Sequence, residues 1–400
     1  EHPERPERHA AIVAAMKAGG YEDRCVRVPS RLAVADEYLL IHSASYVAAI
    51  EKTATATRQY RSRIVRQFEN DVYVNSSTWN SALLAMGSAL EATASVVAGR
   101  HAHAVCVIRP PGHHACSRKA MGFCFLNTVA TCAKMATKGE LRLDRGTPSE
   151  RKLFAVEKVL ILDFDIHHGN GTQAITYDDP NIMYFSIHRG FESKRRCPTA
   201  MFYPGTGLPS EVGAARGSNV NVRWSEPGMG DAEYGEVWRR LLIPVARDFA
   251  PGLILISAGF DAARGDPLGE CDVSPAGYYK MLVPLADIAP ICLCLEGGYN
   301  VDVIGRSFCA CCASLLGETE FDDGVGPVVT RDDARRLEPQ PCLASASADM
   351  NETILAHARF WPNVRASLLE DQQYGDIAFD MISNMDIRDA AGGGGGGGGG

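Results

Sequence analysis

Five short apolar runs, each ending in residues capable of chemistry, constrain this chain more than any other feature. They are Val105–Ile108, Val159–Phe164, Ile182–Ile187, Leu253–Ser257 and Ile291–Leu295. Each is nearly continuous, the pattern of a strand buried on both faces. Segments with helical periodicity lie between them, at Ser81–Gly99, Phe125–Ala136, Ala232–Phe249 and Pro275–Ala286. Alternating strand and helix predicts an α/β fold: a mainly parallel central sheet with helices on both faces. In such a sheet the site forms at the carboxyl ends of the strands. Here the five runs lead into Arg109-Pro-Pro-Gly-His-His114, Asp163-Phe-Asp-Ile-His-His-Gly-Asn170, Ser186-Ile-His188, Ala258-Gly-Phe-Asp261 and Glu296-Gly-Gly-Tyr299. Chance clustering of reactive side chains at five strand ends is improbable.

The 400 residues are 46% hydrophobic, enough to bury a large core. No apolar run reaches the roughly 18 residues that a membrane span needs, so no membrane association is expected. No secretory signal is visible at the start of this sequence, which leaves targeting open. Glu1-His-Pro-Glu-Arg-Pro-Glu-Arg8 already reads as an ordered segment entering a helix, so the protein's own N-terminus is expected upstream. The 13 cysteines follow no disulfide-scaffold spacing, and Cys106, Cys292, Cys294 and Cys309 sit inside apolar runs. That is the usage of reduced, buried thiols in a cytoplasmic or nuclear protein. The single CxxC, Cys309 to Cys312, has no second pair and does not make a zinc finger. A net charge of −8 argues against a nucleic-acid partner and is compatible with a basic polypeptide substrate.

Asp165 and His167, two apart at a strand end, fall on one face and form a chelating pair. Asp261, from another strand end, supplies a third ligand. Two carboxylates and one imidazole suit zinc, with a position left open for water and substrate. Taken singly, Asp165 or Asp261 reads more simply as a helix cap or turn residue. His113 and His114 follow a stiff Pro-Pro-Gly turn, and a neutral imidazole beside a metal-activated water is a natural general base. Asp163 is placed to orient one ring and Asn170 the other, which would separate their proton affinities. Tyr299, after Gly297-Gly298, can donate to an oxyanion. His101, His103, His188 and His357 are read as structural.

The motifs Arg109-Pro-Pro-Gly-His-His-Ala115, Met121-Gly-Phe-Cys-Phe-Leu-Asn127, Asp163–Thr172, Tyr203-Pro-Gly-Thr-Gly207, Ser257–Leu268 and Leu295–Asn300 together resemble the zinc-dependent histone deacetylase family. Within it they are most similar to class II, and there to the class IIb tubulin-deacetylase type. The resemblance implies an arginase/deacetylase-like fold over residues 1–370 as the catalytic domain. An acidic segment at 371–391 and a poly-glycine run at 392–400 follow, the latter a linker or artefact. It implies hydrolysis of acetyl-lysine in histone or tubulin-like proteins, with one catalytic zinc on Asp165, His167 and Asp261. His114 matches the general base, His113 its electrostatic partner, Asp163 the carboxylate behind His113, and Tyr299 the carbonyl-polarising tyrosine. Gly122, Phe123 and Tyr203 match the walls of the tunnel around the lysine stem, with Tyr203 where the family usually has Phe. Asp71 falls at the rim position that grips the substrate backbone. A structural potassium ion near Asp163, Asp165, His167 and Ser186, and inhibition by zinc-chelating hydroxamates, are implied as well.

Three positions sharpen the assignment. Class IIa members have His where Tyr299 stands, so real deacetylase activity is expected here. The polyamine-deacetylating branch has Glu where Leu268 stands, which favours protein substrates. Arginases need a further Asp at the position of Gly169, so a single metal is expected. The basic loop Gly190–Thr199 matches the family poorly. Two other readings remain open: an amidohydrolase of acetylated polyamines, which Leu268 opposes, and a non-catalytic acetyl-lysine scaffold, which the intact ligand set and Tyr299 oppose.

Overall fold

Strands that are apolar on both faces have to be covered on both faces, and the chain achieves this with one six-stranded parallel sheet. The computed structural model describes residues 2–66, 68, 72–143, 153–192, 200–215 and 217–369. The strands are β1 (His103–Cys106), β2 (Val159–Asp163), β3 (Ile182–Arg189), β4 (Asn219–Trp224), β5 (Leu253–Ala258) and β6 (Ile291–Leu295). Their order is β1-β6-β5-β2-β3-β4, and every neighbouring pair is parallel.

Side chains alternate between two cores, as the period of two demands. In β2, Leu160 and Leu162 enter one core while Val159 and Ile161 enter the other. In β5, Ile254 and Ile256 part from Leu253 and Leu255 in the same way. Helices α2 (Thr78–Val97) and α3 (Thr128–Lys138) close the second core. The first is closed by α1 (Pro6–Ala18), α5 (Pro275–Ala286), α6 (Val301–Leu315) and α7 (Ala344–His357). Helix α4 (Asn170–Thr176) links β2 to β3.

The topology places the site. After β2 the chain steps to β3 and then β4, towards one edge; after β5 it steps the other way, to β6. β2 and β5 are neighbours, so the connections leaving their carboxyl ends part, and a crevice opens at this switch point. Asp165 and His167 follow β2, and Asp261 follows β5.

Three expectations need correction. The first strand runs from His103 to Cys106, not from Val105 to Ile108, because Val107 and Ile108 already lead into the Pro110-Pro111 turn. The edge strand β4 was not foreseen: Asn219-Val-Asn-Val-Arg-Trp alternates polar and apolar residues instead of running continuously. Helix α3 starts at Thr128, capped by the Asn127 side chain, which accepts from the Ala130 amide, so Phe125 and Leu126 are buried loop residues. The helix expected over Ala232–Phe249 is present, with a π turn at Trp238–Leu242. Pro244 cannot donate to the Arg240 carbonyl, and the Ser367 hydroxyl takes that carbonyl at 2.9 Å instead. Asp71, most of the basic loop (193–199), and the segments 371–391 and 392–400 lie outside the described residues.

Candidate active site

The loops beyond β2 and β5 bring Asp165, His167 and Asp261 together, with one ligand atom from each lying within 4.8 Å of the others. His167 Nδ1 stands 3.1 Å from Asp165 Oδ1 and 3.0 Å from Asp261 Oδ2. Backbone amides fix both carboxylates. Asp165 accepts from His167 N at 2.9 Å and from Gly297 N at 2.8 Å, and Asp261 accepts from Ile166 N at 2.8 Å. Two glycines make the close approach possible. A Cβ on Gly297 would lie 2.5 Å from Oδ2 of both aspartates, and one on Gly259 would lie 2.1 Å from Asp165 Oδ2.

The electrostatics call for a cation at this point. Burial, and then the charge of Asp165, pushes the Asp261 carboxyl up to about 7. Asp165 is held well below the usual range: burial opposes its charge, but His113 and His167 outweigh burial. Burial would also lower His167, yet the two carboxylates raise it to about 9. Two buried carboxylates thus compete for one imidazolium, and a divalent ion would satisfy both.

The tandem histidines occupy unequal surroundings. His113 Nδ1 donates to Asp163 Oδ2 at 3.1 Å, and the Tyr184 hydroxyl donates to the same oxygen at 3.0 Å. Burial alone would depress His113, but Asp165 and Asp163 push it up to about 10. His114 Nδ1 donates to Asn170 Oδ1 at 2.9 Å, which leaves Nε2 as its basic nitrogen. Burial, followed by the charges of His113 and His167, holds His114 well below the ordinary histidine value. One ring is a standing cation and its neighbour, 4.0 Å away between centroids, is neutral.

Tyr299 is half-buried beside these groups, and its ring meets Phe123 edge-on at 5.9 Å. Burial raises its phenol well above 10, so it keeps its proton. Phe123 has φ 66°, a left-handed conformation that costs a non-glycine residue roughly 1–2 kcal/mol. Packing against His2 at 4.7 Å and against Tyr299 holds it there. At Gly122 a Cβ would come 2.2 Å from the His114 ring, so only glycine lets that ring stand where it does. Tyr203 is edge-on to His114 at 5.1 Å and to His167 at 6.2 Å. Tyr203 therefore stands against both His114 and His167 while Phe123 stands against Tyr299, and half-buried Leu268 lies on the Asp266–Gly269 turn. Ser186 is the register partner of Asp163, and its hydroxyl pairs with His188 Nδ1 at 2.9 Å.

Sequence reading missed several supporting residues. Glu296, fully buried and raised to about 7 by burial, accepts from Gly112 N at 2.6 Å and His113 N at 3.1 Å. It thereby clamps the turn that presents both histidines, and its place at the head of Glu296-Gly-Gly-Tyr299 was the available signal. Arg8, also fully buried, donates to the carbonyls of Gly298 and Glu296, each at 2.5 Å, and its guanidinium lies 5.1 Å from the Tyr299 ring centroid. Phe202 stacks on His167 at 4.9 Å, and the Arg189 guanidinium lies 4.2 Å from its ring centroid.

A histone deacetylase domain matches residues 2–315. The chain is 38% identical over 327 residues to histone deacetylase 5 of Arabidopsis thaliana, covering 80% of this chain and 47% of that one. It is 36% identical over 371 residues to histone deacetylase 15 of the same plant, covering 92% and 60%. The chain thus spans about half the length of these relatives. Among solved structures it resembles the crystal structure of the HDA15 HD domain, with TM-score 0.75, 34% identity and 92% of each chain covered.

Proposed function

Because the chain belongs to the histone deacetylase family, we propose that it hydrolyses acetyl-lysine in proteins, with one zinc ion held by Asp165, His167 and Asp261. The observation that carries this reading is the convergence of two carboxylates and one imidazole beside a histidine pair of opposite proton affinity. The donor set and the glycine cradle fit zinc with an open position. A bound zinc supplies Lewis acidity towards a carbonyl and a water of lowered pKa. A second metal is not expected, since a Cβ on Gly169 would already lie 2.3 Å from Asp163 Oδ2.

The chain's own groups then act as follows. His114, neutral and oriented by Asn170, takes the proton of the attacking water on Nε2. His113, hydrogen-bonded to the Asp163 carboxylate, sets positive charge beside the oxyanion that develops on the acetyl carbonyl. Tyr299 donates a hydrogen bond to that oxygen. The water oxygen bonds to the carbonyl carbon, the carbon–nitrogen bond breaks, and a histidine of the pair protonates the leaving amine, giving acetate and lysine. Gly122, Phe123, Tyr203 and Leu268 sheathe the apolar stem; a grip on the substrate backbone is proposed for Asp71 on the sequence resemblance alone.

The finer assignments are part of the same proposal: a class II enzyme nearest the class IIb type, histone or tubulin-like substrates, potassium at Asp163, Asp165, His167 and Ser186, and hydroxamate inhibition. The twelve described free cysteines support a reducing compartment, cytoplasm or nucleus. Among the described residues no helix is long and apolar enough to cross a membrane. Tyr299→Phe is the direct test. Loss of one oxyanion donor should lower turnover of an acetyl-lysine peptide by about 10²–10³-fold, and near-normal turnover would remove Tyr299 from the mechanism.

A further inference from the structure

Asp266 is buried, 6% exposed, and belongs to none of the groups assigned above. Both of its oxygens are occupied. Oδ1 accepts from Leu268 N at 2.9 Å and from Gly269 N at 3.2 Å, closing a tight local turn. Oδ2 accepts from Tyr299 N at 2.6 Å and from Asn300 N at 3.2 Å, across 33 residues of chain. Asn300 answers in the other direction: its Nδ2 donates to Gly265 O at 2.7 Å, while its Oδ1 caps α6 by accepting from Asp302 N at 3.0 Å. Two loops from neighbouring strand ends are therefore sewn together through one carboxylate. One carries Leu268, proposed above as a wall of the stem site, and the other carries Tyr299.

The phenol itself has little to hold it. Among the described residues its hydroxyl has no hydrogen-bond partner, and its ring is touched by Phe123 and by the Arg8 guanidinium. Its position is set through its own peptide unit, whose N–H donates to Asp266 at 2.6 Å and whose carbonyl, that of Gly298, accepts from Arg8 at 2.5 Å. Charge-assisted bonds to a buried carboxylate are the stiff ones in such a network.

We propose that Asp266 is a positioning residue that makes Leu268 and Tyr299 one mechanical unit, so that seating of the substrate stem against Leu268 and alignment of the Tyr299 phenol occur together. The proposal rests on the reading of Tyr299 as the oxyanion donor. It predicts that Leu268, unlike the other walls, bears on turnover as well as binding, because displacement of a reacting group by about 1 Å can cost 10²-fold.

The test uses the full chain loaded with zinc. Asp266→Ala removes all four acceptor contacts; Asp266→Asn, which keeps one oxygen, serves if the alanine variant does not fold. On an acetyl-lysine peptide Asp266→Ala should lower kcat by about 10–100-fold, while in a Tyr299→Phe background the same change should cost less than about threefold, because the donor it aligns is already gone. Additive losses in the double variant would overturn the proposal, since a merely structural role multiplies with any other. Hydrogen exchange gives a readout independent of turnover. The amides of Leu268, Gly269, Tyr299 and Asn300 should speed up together in the variant while β2 and β5 stay protected, and unchanged rates at Tyr299 and Asn300 would refute the coupling. A wild-type protein that binds zinc and releases no acetate would count against the deacetylase reading, and the exchange result would still decide the role of Asp266.

Discussion

Replacing Gly297 by alanine should disable metal binding while leaving the fold in place. The added Cβ would stand 2.5 Å from Oδ2 of Asp165 and equally close to Oδ2 of Asp261, so each oxygen has to withdraw by about 0.9 Å to reach ordinary contact at 3.4 Å. Metal sites tolerate ligand displacements of about 0.2 Å. Neither aspartate can swing away freely, because amides of His167 and Ile166 hold their other oxygens. Two of three ligands are displaced at once, so zinc affinity should fall at least about 100-fold, roughly 2.7 kcal/mol. Gly297 is not among the glycines with positive φ, so its backbone accommodates alanine. The measurement is a zinc titration of the stripped protein against a chelating dye, with a thermal melt of the same sample. Gly235→Ala, where nothing lies within 4 Å of the added atom, is the control and should bind zinc normally. Wild-type zinc affinity in Gly297→Ala would refute the ligand assignment.

Other outcomes follow from the same geometry. Leu268→Glu should raise kcat/KM for an acetylated polyamine relative to an acetyl-lysine peptide by about tenfold, the worth of one partly buried charge contact; an unchanged ratio in competition assays would detach Leu268 from substrate choice. Phe123→Ala removes one ring beside the stem and should raise KM by about tenfold with a smaller effect on kcat, and steady-state kinetics with the losses reversed would contradict its place as a wall. His42 is neutral in the fold, with Nδ1 donating to Cys116 O at 3.1 Å and Nε2 accepting from Asn127 N at 2.9 Å. Burial lowers it from 6.5 to about 4, so its contribution is fully present above pH 6.5 and is lost as pH falls towards 4. That amounts to about 2 kcal/mol by pH 5. Denaturant unfolding at pH 7 and pH 5 should show the loss in wild type and a flatter dependence in His42→Gln; equal slopes would remove His42 as a source.

What the sequence disclosed follows from how locally each feature is encoded. The four inner strands were legible because burial on both faces leaves a continuous apolar run; the half-buried edge strand β1 was read two residues late, and the other edge, β4, is buried but alternates Asn219-Val-Asn-Val and hides among loops. The metal triad and the histidine pair were legible as strand-end clusters, since parallel topology carries every strand end to one rim. Their supports were not. Arg8 is an ordinary charged residue of a Glu-Arg-rich opening until α1 docks and buries it against Gly298 and Glu296, 288 or more positions away. Asp266 reads as a turn residue, and only the folded chain shows Tyr299 and Asn300 donating to its second oxygen. Phe202 was overlooked beside Tyr203, although it is Phe202 that stacks on the candidate ligand His167. Long-range pairing of this kind leaves no period in the sequence.

The most direct measurement is acetate release from an acetyl-lysine peptide by the purified chain as isolated, after removal of zinc, and after zinc is restored. Turnover should disappear with the metal and return with one equivalent of zinc per chain. Turnover that persists after complete zinc removal would contradict this expectation, as would a fully zinc-loaded protein that releases no acetate from any acetylated peptide.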